Sequence, residues 1–190
     1  MNFNILIPLQ KFIFMKYCYL FILFLLVVGC KSSQINTSLE KLNEKHTIIL
    51  SNCIDNAVCN IDIIPKSNLL IKEDEFKNTY IEFEKGNNTI IKYQLKKNEL
   101  PNTADSHYAE ILYLEIDNYN KSLYLKNEEL QQVKMIYGRL CYCKGSSGYF
   151  KVNNGSLELT LSKNKLSLDV KFNVENIPQI VSQIHETISL

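Results

Sequence analysis

Between Gly155 and Val174 the chain reads GSLELTLSKNKLSLDVKFNV, and its apolar residues fall on every second position. Leu157, Leu159 and Leu161 alternate with Glu158 and Thr160. Leu166, Leu168, Val170, Phe172 and Val174 alternate with Ser167, Asp169 and Lys171. Successive side chains of a strand point to opposite faces, so each run has one oily and one wet side. Ser162 to Lys165 supplies a turn, and the pair reads as an antiparallel hairpin whose oily side must lie on a core. A chain built on such a unit needs a second apolar layer to cover it, and the rest of the sequence offers more of the same period.

"HTIIL" from His46 and "VCNIDII" from Val58 read as strands, the second with Cys59, Ile61 and Ile63 on one face. "YIEFE" places Ile81 and Phe83 on one side. Lys85-Gly86-Asn87-Asn88 reads as a turn, and "TIIKYQLK" follows with Ile91, Tyr93 and Leu95 alternating. Leu100 to Ser106 is a loop. "HYAEILYLEID" is a strand with Leu112, Leu114 and Ile116 on one face, "SLYLK" is a short one, "NEELQQ" is either a turn of helix or a direct lead into "VKMIYGRLCYC", and the loop Lys144-Gly145-Ser146-Ser147-Gly148 follows. At the C-terminus the period changes. Asn176 can cap a helix, Pro178 suits its first turn, and Ile177, Val181, Ile184 and Ile188 share a helical face. The expected fold is mainly β, an antiparallel sandwich or barrel with a short C-terminal helix. Residues 46–190 form a single domain, large enough to bury a core.

Charge excludes one class of partner. Residues 1–30 hold Lys11 and Lys16 and no acid, so the remainder carries 19 basic and 20 acidic residues. Arg139 is the only arginine. Nothing is left over to neutralise a phosphate backbone, and nucleic acid is not an expected partner.

The N-terminus sets the address. From Tyr17 to Gly29 an apolar run of about thirteen residues follows Met15-Lys16, which is short of the roughly twenty needed to span a bilayer. Basic, apolar and small-residue regions in that order describe a secretory signal peptide. Val27-Val28-Gly29-Cys30 resembles the lipobox of bacterial lipoproteins, with Val27 in place of the commoner Leu. The resemblance implies cleavage before Cys30, with acyl chains on its thiol and amine. Residues 1–29 would be the signal peptide, starting in truth at Met15, and residues 30–45 a lipidated N-terminus and polar tether. Two or more acyl chains hold a protein firmly on a membrane. Lys31, where an Asp would imply inner-membrane retention, implies the outer membrane and a periplasm-facing domain. The block GRLCYCKGSSGYFKVNNG is similar to uncharacterised lipoproteins of Gram-negative bacteria.

Removal of Cys18 and lipidation of Cys30 leave Cys53, Cys59, Cys141 and Cys143, an even number in an oxidising compartment, so two disulfides are expected. In an extended strand the Cα atoms of Cys141 and Cys143 lie about 6.6 Å apart with parallel Cβ vectors, which a bridge cannot use without a kink. Each is therefore expected to reach Cys53 or Cys59 on another strand. The competitor is local: Asp55-Asn56 is a turn pair that brings Cys53 to Cys59, leaving Cys141 and Cys143 as thiols or as a Cys-x-Cys bridge suited to redox exchange or soft-metal capture.

The remaining candidates read as structure. Asp105, Ser106, His107 and Glu110 gather polar groups at a strand entrance, but residues three apart in a strand face opposite ways, and they read as solvated loop. His46 and His185 have no sequence neighbours of a catalytic triad. Gly145-Ser146-Ser147-Gly148 is not a nucleophile elbow. Glu73-Asp74-Glu75 lacks the alternating oxygen ligands of a calcium loop and reads as a solvated turn. Tyr108, Tyr113, Tyr119, Tyr124, Tyr137, Tyr142 and Tyr149 suit sheet faces. No catalytic, cofactor-binding or metal-binding residues are assigned and no cofactor is expected. The functional expectation is a lipid-anchored, non-enzymatic binding or structural module in the periplasm with an unknown protein or envelope ligand. The alternative is thiol redox or copper handling by Cys141 and Cys143.

Overall fold

The computed structural model describes residues 45–117, 122–162 and 165–189. The segments expected to be a signal peptide starting at Met15, a lipobox with Cys30 and a tether up to residue 44 lie outside the described residues, as do Tyr119 and Lys163-Asn164 between β8 and β9. The described strands are β1 (His46–Ile49), β2 (Ala57–Glu73), β3 (Thr79–Lys97), β4 (Tyr108–Ile116), β5 (Leu123–Lys126), β6 (Ile136–Cys141), β7 (Gly148–Lys151), β8 (Gly155–Ser162), β9 (Lys165–Phe172) and β10 (Gln183–Ser189). A 3-10 helix, Asn127–Val133, joins β5 to β6.

The strands form two antiparallel sheets, one in the order β1-β2-β3-β4-β6-β7 and the other β10-β9-β8-β5. Neither closes on itself, and the fold is a sandwich rather than a barrel. The hairpin read from the alternation is β8–β9, in register from Gly155↔Phe172 to Ser162↔Lys165. Its oily face, Leu157, Leu159, Leu166, Leu168, Val170 and Phe172, meets Cys59, Ile61, Ile63, Ile91, Leu95, Leu112, Leu114 and Ile116 of the larger sheet. Tyr137 lies fully buried in this layer with its ring 5.7 Å from that of Phe172. Leu130 and Val133 of the 3-10 helix are buried in the same core.

Two elements differ from the sequence reading. The C-terminal segment is not a helix but β10, paired with β9 from Gln183↔Lys171 to Ser189↔Lys165. Ile184 and Ile188 are four apart, and four is both one helical turn and an even number of strand positions, so both periods place them on one face. The β-branched Ile184, Thr187 and Ile188 favour the strand. Asn176 does not cap a helix; it takes the left-handed conformation with φ 61° in the connection before β10.

The second difference is at Lys85-Gly86-Asn87-Asn88, which is not a turn. It lies within β3, opposite an irregularity in β2 where the pairing jumps from Pro65↔Thr89 to Ser67↔Lys85. Three residues of β3, Gly86, Asn87 and Asn88, stand against the single Lys66 of β2, which adopts φ 52°. Such a surplus bends the paired strands at this point. Before it, Cys59, Ile61 and Ile63 face the inter-sheet core; after it, Leu69 and Ile71 belong to a second apolar cluster with Ile90, Ile111, Tyr113 and Ile136. The distal part of the hairpin, residues 67–85, thus forms an arm that packs on the outer side of the larger sheet. That is why β4 is buried on both faces from Ala109 to Ile116.

The arm is held by polar contacts as well. Leu69 N donates to Glu115 Oε2, Lys134 Nζ donates to Leu69 O at 2.9 Å, and the Lys134 ammonium pairs with Glu115 at 2.8 Å. Asn88 Nδ2 donates to the same carboxylate at 2.9 Å. The arm turns at Asp74, whose Oδ1 accepts from Phe76 N at 2.9 Å and Asn78 N at 2.8 Å. The solvated turn read at Glu73-Asp74-Glu75 is this tip, and the amide donors of Asn78 hold the Asp74 carboxyl below its usual pKa.

Candidate functional site

Both pairs of cysteines sit at one end of the larger sheet. Cys59, Leu95, Glu110 and Arg139 form a register row across β2, β3, β4 and β6. Neighbouring strands are about 4.8 Å apart, so the row spans on the order of 14 Å. A bridge tolerates a Cα separation of no more than about 7 Å. The expected cross-link from Cys53 or Cys59 to Cys141 or Cys143 therefore does not form, because two strands lie between the partners. The bridges are local: Cys53–Cys59, with Cα atoms 5.5 Å apart, and Cys141–Cys143, at 5.2 Å. The second pair meets the distance condition because the extended backbone ends at Cys141 and bends at Tyr142.

The two bridges differ in setting. Cys59 is 2% exposed, and its sulfur accepts a hydrogen bond from the Tyr93 hydroxyl at 3.4 Å. Tyr93 is held above its ordinary pKa by burial, then by Glu186 and Glu110. Cys53 is half-buried and with Cys59 lines a hollow of about 470 Å³; Cys141, Tyr142, Cys143 and Lys144 line a shallow one of about 480 Å³, with Tyr142 85% exposed. In a chain-entropy model, loops of seven and three residues give bridges of only about 2 kcal/mol each, against about 4–5 for a loop of nearly ninety.

Below the Cys141–Cys143 corner is a buried polar cluster that the sequence reading placed in solvent. Glu110 is fully buried. Its carboxylate accepts from Ile180 N and Val181 N, both at 2.7 Å, and from the Tyr108 hydroxyl. Two backbone donors and a phenol satisfy the charge in the interior, where an unpaired carboxylate would be prohibitive. Tyr108 is pushed above its ordinary pKa by burial first and the Glu110 hydrogen bond second. The Tyr137 hydroxyl, raised by burial and by the Glu110 charge, has no hydrogen bond among the described residues. The signal for Glu110 is parity: it shares its strand face with Leu112, Leu114 and Ile116.

Arg139 stands opposite Glu110 on β6 and is 9% exposed. Its Nη1 donates to Ser146 O at 3.1 Å and to Ser146 Oγ, and its Nε to the Tyr108 hydroxyl at 3.4 Å. Ser147 Oγ donates to Arg139 O at 3.2 Å, and Ser146 N to Cys143 O at 3.2 Å. The loop carrying the bridge is thus fastened from beneath by the one guanidinium of the chain.

The other expected positions separate. His107 is a surface residue 3.7 Å from Glu99, far from any role with Glu110, and His185 pairs with Asp169 at 2.8 Å on the outer face of the smaller sheet. Tyr113 and Tyr149 complete the outer apolar cluster, whereas Tyr124 and Tyr142 are exposed. No group of three or more His, Cys, Asp or Glu among the described residues is arranged to hold a metal ion.

A second concavity, which the sequence did not reveal, opens between the arm and the body. It has a volume of about 800 Å³ and is lined by Glu73 and Thr79 of the arm, Asn127 and Glu128, Tyr149 to Lys151, Asn153, Asn154 and Asn173 to Glu175. The side chains of Asn153, Asn154 and Asn173 make no hydrogen bonds among the described residues, so amide donors and acceptors stand free beside carboxylates and an aromatic edge. No protein-family model, curated protein or solved structure matches the chain.

Proposed function

We propose that the protein is a lipoprotein anchored through Cys30 to the outer membrane, with its domain facing the periplasm as a non-enzymatic binding module for a polar envelope component. The observation that carries the binding reading is the asparagine-lined cleft between arm and body. Amides and carboxylates grouped beside tyrosine and phenylalanine rings can exchange hydrogen bonds with saccharide hydroxyls and stack on a sugar face, and small-ligand sites combine such polar groups with an aromatic wall. The lipobox at Val27 to Cys30 supports the anchor. The bridged state of all four cysteines after Cys30 fits an oxidising compartment.

The test has two arms. Mass and detergent partition of the protein purified from its host should show a chain beginning at an acylated Cys30, with Cys30→Ala moving it to the aqueous phase. Retention of residues 1–29, or an aqueous wild type, overturns the anchor. Calorimetric titration with isolated cell-envelope saccharide should show binding that Asn153→Ala, Asn154→Ala and Asn173→Ala together weaken by about tenfold or more, at roughly 1 kcal/mol per lost hydrogen bond. Affinity unchanged in that triple variant removes the cleft as the site.

A further inference from the structure

The Cys141–Cys143 bridge adds little as a staple. It closes only three residues, and the loop around it is already fastened by Arg139, Ser146 and Ser147. Its setting is that of a reactive group. The bridge lines an open hollow, the residue between the two cysteines in sequence is an exposed tyrosine, and an exposed lysine follows the second. The other bridge of the domain has a buried sulfur capped by a phenol. Exchange requires an accessible sulfur and is favoured by nearby positive charge, which draws in the attacking thiolate and stabilises the departing one.

We infer that Cys141–Cys143 is an exchangeable disulfide that oxidises a dithiol carried on an extended polypeptide segment, with Tyr142 as its docking platform. The first thiolate of the segment attacks Sγ of Cys143, which is flanked by Tyr142 and Lys144. The Cys141–Cys143 bond breaks and Cys141 leaves as a thiolate. The second thiolate of the segment then attacks its own partner sulfur in the mixed disulfide, and Cys143 leaves in turn. Two electrons pass from the segment to the domain. The segment loses two protons and gains a disulfide, and Cys141 and Cys143 each take up one proton. Soft-metal capture by the same pair needs both sulfurs as thiolates and so can only follow this reduction. The Cys53–Cys59 bridge, with Cys59 buried and hydrogen-bonded by Tyr93, takes no part.

The experiment uses the full-length protein as purified from its host in mild detergent, so its outcome does not depend on where the protein is anchored. The probe is a reduced synthetic peptide with two cysteines; dithiothreitol is the small-dithiol control. Mixing at equimolar ratio and quenching with an alkylating agent should add label, beyond that on the protein not mixed with peptide, at Cys141 and Cys143 and not at Cys53 or Cys59, with one peptide disulfide formed per bridge opened. The Cys141→Ser/Cys143→Ser protein should keep its strand signal in circular dichroism and lose the transfer. Tyr142→Ala should slow exchange with the peptide about tenfold, the worth of one aromatic contact, and leave the dithiothreitol rate within about twofold. Lys144→Glu should slow the peptide reaction several-fold at low salt. A peptide that stays reduced, or label appearing on Cys53 and Cys59 as fast as on Cys141 and Cys143, overturns the inference. So does a peptide rate that neither Tyr142→Ala nor Lys144→Glu changes.

Discussion

Glu110 shows how one side chain organises its surroundings. The segment between β9 and β10 has two consecutive amides, Ile180 N and Val181 N, directed at a single carboxylate from the opposite sheet. Glu110→Ala leaves both without that acceptor, and an orphaned buried donor costs about 1–3 kcal/mol. The expected loss of unfolding free energy is therefore roughly 2–5 kcal/mol, read from denaturant midpoints. Glu110→Gln keeps one acceptor oxygen and should lose clearly less. Equal losses in the two variants would mean that the carboxylate does not act through these amides. The residue was legible as inward-facing from its parity with Leu112, but its partners were not. Its backbone partners lie seventy positions away, in a segment whose periodicity suggested a helix.

At the scale of elements, local pattern served well where one period could be distinguished from another. The β8–β9 hairpin runs long enough for strict alternation to exclude a helix. β10 does not, because its buried isoleucines sit at a spacing common to both structures. The β2–β3 kink was hidden for a different reason: Gly86-Asn87-Asn88 has the composition of a reversal, yet the chain continues as strand because the apolar residues of the arm find a second surface beyond it. That surface makes a prediction. Lys134→Met removes the ammonium that joins Leu69 O to Glu115, and Leu69→Ala removes a side chain that is 1% exposed. A buried leucine truncated to alanine typically costs about 2–5 kcal/mol. Amide exchange in residues 67–85 should quicken in both variants, while β8 and β9 stay protected. A uniform change over the whole domain would show instead that the arm unfolds only with the body.

For the molecule as a whole, tertiary order was the illegible part. The cysteine pairing expected from strand geometry assumed that β2 and β6 could be neighbours, and the sheet order puts β3 and β4 between them. No spacing along the chain reports that. The two-layer construction also sets a response to alkali. Tyr93, Tyr108, Tyr113, Tyr137 and Tyr149 are all raised above the ordinary phenol pKa, with burial the first cause in each. The native state holds these protons more tightly than the unfolded chain, so their contribution is complete below the unfolded pKa of about 10 and is lost as pH climbs through the folded values. Denaturant midpoints should be flat in this respect near neutrality and fall from about pH 10 upward, in step with a late rise of tyrosinate absorbance. Tyr113→Phe should shallow that fall. A midpoint that does not decline by pH 11 would contradict the burial of the phenols.

Short cross-links leave the polymer long. The two bridges span six and two residue steps along the sequence. Under tension applied at its ends, the domain would unspool to almost its whole contour, with only on the order of 25 Å of thread withheld at about 3.4 Å per residue. A bond between β2 and β6 would have locked away about eighty residues, roughly 270 Å of slack at the same rise. Resistance to pulling must then come from the strand ladders themselves, and a mechanical trace should read nearly the same with the bridges closed or open.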